Sequence, residues 1–152
     1  MNASSQQSMV NGAAIKASSV SFTAAVLMVI AGMIWGLVMA ISQDHAAFPA
    51  HAHLNLLGWV SLFLFGLFYH LHPAIDRSRT AMVQVVAWIV GTIVMVVGVG
   101  LVHTGHEIGD PIAAIGSMAV FADMLVFGWL VVRRARFSEA ATAARASFAP
   151  AE

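Results

Sequence analysis

Four long apolar runs separated by short polar breaks organise this chain. They cover about residues 20–42, 51–72, 80–103 and 112–132, each matching the roughly 20 residues that a helix needs to cross a bilayer. The breaks hold turn formers and charge, among them Asp44, Pro73, Asp76, Gly105, Gly109 and Pro111, and Pro111 suits the first turn of a helix. The pattern predicts an all-α integral membrane four-helix bundle over residues 19–133, preceded by a mobile polar tail, 1–18, and followed by a charged tail, 134–152. The first run is longer than the roughly 7 to 15 apolar residues of a signal peptide, so it reads as a span. Its Gly32 and Gly36 form a small-xxx-small face suited to a neighbouring helix.

Composition narrows the chemistry. The 152 residues are 60% hydrophobic and 9% charged, more apolar than a soluble domain of this length would bury. The absence of cysteine excludes disulfides, thiolate-bound clusters and c-type haem attachment, leaving histidine and carboxylate as metal ligands. Zero net charge gives no reason to expect a nucleic-acid partner. The basic residues Lys16, Arg77, Arg79, Arg133, Arg134, Arg136 and Arg145 all fall in the tails or the second break. The positive-inside rule then places both termini in the cytoplasm and the first and third breaks outside. A multi-pass protein of a bacterial inner membrane, with its histidine cluster on the periplasmic side, is the expectation.

That arrangement gathers Asp44, His45, His51, His53, His103, His106, Glu107 and Asp110 at one face. His51 and His53 open the second span, and positions two apart on a helix diverge by roughly 200°, so the pair addresses two sites rather than one ion. Asn55 shares the His51 face and can orient an imidazole. His45, His103, His106 and Glu107 are an alternative site for copper or zinc, or are solvated loop residues. His70 and His72, beside Tyr69, fit an interfacial belt, and Met28, Met33 and Met39 read as packing residues. Asp123 lies about twelve residues into the fourth span, roughly 18 Å along its axis. Near mid-membrane, level with Ser61 and Thr92, it is expected to join a hydrogen-bonded layer or to handle protons.

The stretch His51-Ala-His53-Leu-Asn55-Leu-Leu-Gly58, with Phe63, Gly66, Tyr69 and Pro73 after it, resembles the tenth helix of subunit I of the haem-copper oxidases. His53-Leu-Asn55-Leu is also similar to the second helix of the related nitric-oxide reductases. The resemblance implies that His53 ligates a low-spin haem, of b type, while His51 points to a neighbouring high-spin site. It covers about 25 residues, and no second helix carries the three-histidine copper set of the family. Subunit I is built as three arcs of four helices, so a homotrimer of this chain would rebuild twelve. The reading is a haem-binding membrane protein for electron transfer or for binding O2 or NO, a possible oxidoreductase with its electron donor unidentified. Its alternatives are a copper- or zinc-binding membrane protein and a cofactor-free accessory subunit.

Overall fold

The computed structural model describes residues 15–147, with side chains to Arg133. Residues 1–14 of the polar tail and 148–152 of the charged tail lie outside the described residues. Every described element is helical: α1, Ala17–Ser42; α2, Phe48–Leu71; the short α3, Pro73–Asp76; α4, Arg79–His103; and α5, Gly109–Ser147. α1, α2, α4 and the Gly109–Arg133 part of α5 are each long and apolar enough to cross a membrane. The chain is an all-α, multi-pass integral membrane protein.

Local chemistry sets the helix ends. Gln43 terminates α1 in the left-handed region, φ 57°, and its Nε2 donates to the Ala40 carbonyl at 2.6 Å. Asp44 then accepts from the Ala46 amide at 3.0 Å, an Asx turn that feeds Pro49 into the first turn of α2. Ser78 caps α4 by accepting from the Ala81 amide at 3.1 Å. α1 has no side-chain cap from Lys16. Instead the buried Asp76 of α3 accepts from the Ser18 amide at 2.7 Å and from Ser18 Oγ at 2.9 Å. A carboxylate there satisfies an otherwise orphaned amide and complements the positive end of the helix dipole.

α2 departs from the expected regular helix. Leu54–Ser61 is π-helical, and the wider turn re-aims the lower half of the span relative to its histidine end. Neighbours bind the carbonyls there: Trp88 Nε1 of α4 donates to Leu57 O at 3.0 Å and Ser21 Oγ of α1 to Leu62 O at 2.7 Å.

Consecutive spans pack antiparallel in an open, curved row that follows chain order, with α1 also touching α4 near Trp35 and Gly100. Gly36 lies against His51, Gly32 against Asn55 and Gly66 against Phe22 on the α1–α2 seam. Ala50 meets Gly100, and Phe65 meets Trp88 with ring centroids 4.8 Å apart, on the α2–α4 seam. Gly98 meets Ala113 and Gly116 meets Met95 on the α4–α5 seam. Among the described residues α1 and α5 share no such seam. They are the edges of the row, with 22% of each spanning window buried against 33% in α2 and 39% in α4. Phe127 of α5 reaches back to Phe65 at 4.2 Å and to Phe68 at 5.2 Å, so the row curls at the end opposite His51.

Candidate functional site

Because the spans alternate, His45, His51, His53, His103 and His106 share one end of the molecule. His51 and His53 lie on the α-helical part of α2, Phe48–His53, and occupy different faces. His51 sits in the α1–α2 seam, where the lack of a side chain at Gly36 admits its ring: a Cβ there would stand 3.1 Å from His51 Cε1. Trp35 and Phe48 flank the imidazole, with centroids at 6.5 and 6.4 Å. Asn55 Nδ2 donates to the His51 carbonyl at 2.9 Å and lies 3.3 Å from its Nε2 and 3.4 Å from its Nδ1. The Asn55 amide is received by Gly32. The glycine pair of α1 therefore seats the His51 and Asn55 pair of α2, each group spaced by one helical turn.

His53 is half-buried, and its Nδ1 donates to the Pro49 carbonyl at 2.7 Å. A carbonyl oxygen only accepts, so Nδ1 carries a proton and, in the neutral ring, Nε2 carries the lone pair; His72 and His103 make the same bond to the carbonyl four residues back. An imidazole held in this way has the tautomer and the fixed ring angle that metal-ligating histidines use.

The remaining histidines of this end are exposed and bonded locally. His45 Nδ1 lies 3.2 Å from Gln43 O, His103 Nδ1 2.9 Å from Val99 O, and His106 Nδ1 3.1 Å from Thr104 Oγ1. Glu107, Asp44 and Asp110 are exposed too. Among the described residues no three His, Asp or Glu side chains are placed to hold one metal ion, so the chain does not by itself draw His45, His103, His106 and Glu107 together. At the other end, His70 is exposed beside Phe22. His72 Nδ1 donates to Phe68 O at 2.6 Å. Met28 packs on Gly58 and Met39 is buried, while Met33 faces outward.

Asp123 is buried but not in the expected layer. Ser61 Oγ donates to Leu56 O of its own helix at 3.1 Å, and Thr92 Oγ1 is buried without a partner. Asp123 Oδ2 accepts instead from Gln84 Nε2 at 2.6 Å, and Gln84 Oε1 accepts from the Tyr69 hydroxyl at 2.7 Å. The three side chains form one buried relay across α2, α4 and α5. Gln84 is only five residues beyond Arg79, roughly 7.5 Å along α4, so the relay is nearer the arginine end than counting from the helix start suggested. A signal for it lies in the sequence. Gly91 and Gly98 on α4, and Gly109 and Gly116 on α5, are heptad-spaced and interlock, which fixes a register that sets Gln84 opposite Asp123.

Comparison of the chain with family models, with curated proteins and with solved structures gives no match.

Proposed function

We propose that the protein is a haem-binding integral membrane protein of the electron-carrying or small-ligand-binding kind, in which His53 would hold the haem iron. The observation that carries this reading is the half-buried His53 ring at the histidine end of α2, whose Nδ1–H is fixed on the Pro49 carbonyl at 2.7 Å and whose Nε2 is the nitrogen left for a ligand. Haem, when bound, supplies reversible one-electron chemistry or an open iron position for a diatomic ligand. The chain's own contribution is to hold the imidazole at a set angle and to surround it with apolar span. His51 has a different part, since Gly36, Trp35 and Asn55 hold its ring in the α1–α2 seam.

One His53 per chain would supply one imidazole to a haem, and the open row of spans leaves α1 and α5 with apolar edges. Both features favour a homo-oligomer, and three copies would give the twelve spans implied by the resemblance to subunit I. The placing of Lys16, Arg77, Arg79 and Arg133 at the end opposite the His51–His53 pair supports cytoplasmic termini and histidines on the outer side of a bacterial inner membrane.

The test is an optical spectrum of the detergent-purified protein, oxidised and reduced, with native mass measured on the same sample. Wild type is expected to show haem b bands in a complex of three chains, and His53→Ala to lose them while keeping its helical content. Full haem bands in a folded His53→Ala protein would remove His53 from the site, and a monomeric mass would remove the trimer.

A further inference from the structure

Two polar groups at membrane depth are left with an open hydrogen-bonding position, and they stand at opposite edges of the row. One is Asp123 of α5. A cleft of about 540 Å³ between α4 and α5 is walled by Val83, Ala87, Ala119 and Ala122, all exposed on the span surface, so it opens sideways. At its base the buried Asp123 accepts from Gln84 Nε2 through Oδ2, and among the described residues no donor reaches its other carboxyl oxygen. The second group is Thr23 of α1, exposed together with Ser19 one turn before it; both line a shallow groove with Leu27. Neither hydroxyl makes a hydrogen bond among the described residues. Thr23 is two residues from Ser21, which bonds Leu62 of α2, and so lies roughly 200° around the helix from the α1–α2 seam. It points away from the rest of the chain. An unpaired polar atom in a span is costly.

We propose that α1 of a second copy seats in this cleft, with its Thr23 hydroxyl donating to the open oxygen of Asp123. The contact rests on the homo-oligomer reading above, gives it a defined interface, and involves no haem. Depth matches. Phe22 lies against Gly66 and His70 of α2, on either side of Tyr69, and Tyr69 bonds Gln84, which bonds Asp123. Thr23 is therefore level with the carboxyl, and copies related by an axis along the bilayer normal keep every residue at its depth. Shape matches too. Leu27, one turn outward from Thr23, is 62% exposed and comes opposite Ala87 and Ala119, whose small side chains leave room for it. Ser19, one turn inward, comes opposite Arg79 and Thr80. A ridge of side chains four residues apart is what packs into a groove, and small or hydroxyl-bearing residues are what membrane helices use at contacts. A lipid acyl chain would leave both polar groups unpaired, and a hydroxyl compound from the bilayer would satisfy Asp123 but not Thr23. α1 of another copy pairs the two with each other. Since α1 and α5 are opposite edges of the row, the contact is head-to-tail and can repeat around a closed ring.

The chain has no cysteine, so an engineered pair reports a single contact. In the full chain in phosphatidylcholine liposomes, the Thr23→Cys, Ala122→Cys double variant is expected to form disulfide-linked dimers and higher species on oxidation. These links join different chains, because α1 and α5 of one chain share no seam among the described residues. Either single variant should stay unlinked, since Thr23 meets the cleft and not another Thr23. Thr23→Val keeps the shape and removes the donor. It should weaken self-association, followed by energy transfer between labelled copies at increasing lipid dilution, by about threefold or more. In an Asp123→Leu background the same substitution should cost nothing further. Self-association without the Thr23–Ala122 link would overturn the contact and leave the homo-oligomer reading standing. So would a Thr23→Val loss of equal size in both backgrounds, or efficient linking of Thr23→Cys alone, which would make the contact two-fold symmetric. A monomeric native mass would remove the homo-oligomer reading and this contact with it.

Discussion

The α1–α2 and α4–α5 seams are both built on glycine, yet the glycines do different work. On the first seam they receive side chains: Gly32 the Asn55 amide, Gly36 the His51 ring, Gly58 the Met28 thioether and Gly66 the Phe22 ring. On the second, Gly98, Gly116 and Gly109 receive backbone, the main chain of Ala113 and Ile112, that of Met95 and the Val102 amide nitrogen, while Gly91 meets chiefly the Val120 and Ala119 side chains. A side chain can rotate away from an intruding methyl group, but a helix backbone moves only as a body. The first seam therefore holds His51 and Asn55 in fitted, adjustable sockets. The second is the rigid reference that keeps Gln84 opposite Asp123.

The largest effect is expected at the rigid seam. In Gly116→Ala the new Cβ would fall on the Met95 backbone, so α4 and α5 must separate along their length. Overpacking of this kind costs about 1 to 3 kcal/mol or more, offset by only about 0.5 to 1 kcal/mol of helix propensity gained on replacing glycine. Thermal unfolding in detergent reads the difference. An unchanged midpoint would mean that the two helices are not in backbone contact.

Next in size is Gln84→Leu, which keeps the volume but removes both bonds of the relay. The Tyr69 hydroxyl and the Asp123 carboxyl are then left buried without partners, at a cost of about 1 to 3 kcal/mol. Replacing donor and acceptor together is far cheaper than replacing one, so the Gln84→Leu, Asp123→Leu double variant should be more stable than Gln84→Leu alone. If the double variant is the less stable, Gln84 acts through packing and not through its bond to Asp123.

These effects bear on how far the sequence was legible. The four spans were, because a run of about 20 apolar residues admits few other readings, and so was the shared face of His51 and Asn55, which follows from their i, i+4 spacing. The π-helical stretch Leu54–Ser61 was not, since nothing in LNLLGWVS distinguishes it from an α-helix and its carbonyl partners, Trp88 and Ser21, lie on other spans. The polar layer was misplaced for a related reason. Counting residues from each predicted start aligned Asp123 with Ser61 and Thr92, but depth along one helix says nothing of the offset between helices. That offset is set by the interlocking of Gly91 and Gly98 with α5, which puts Gln84 and not Thr92 beside the carboxyl. Tyr69, expected at the headgroup level, is fully buried as a result.

The smallest effect is expected at the socket of His51, and there the kind of change matters more than its size. In Gly36→Ala the added methyl would stand 3.1 Å from His51 Cε1 and 3.7 Å from Nε2, so the ring has to give by a few tenths of an ångström. The helix-propensity gain of about 0.5 to 1 kcal/mol is similar to the cost of a mildly displaced rotamer, about 0.5 to 1.5 kcal/mol, and the unfolding midpoint should move little. The imidazole resonances give the sharper measurement. Those of His51 should shift, because the ring moves relative to Trp35 and the Asn55 amide. Those of His53 should stay, because its Nδ1 is fixed to Pro49 on another face of the same helix. Equal shifts in both rings would mean that the two histidines respond as one site, which would undo the division between a seam histidine and the proposed ligand.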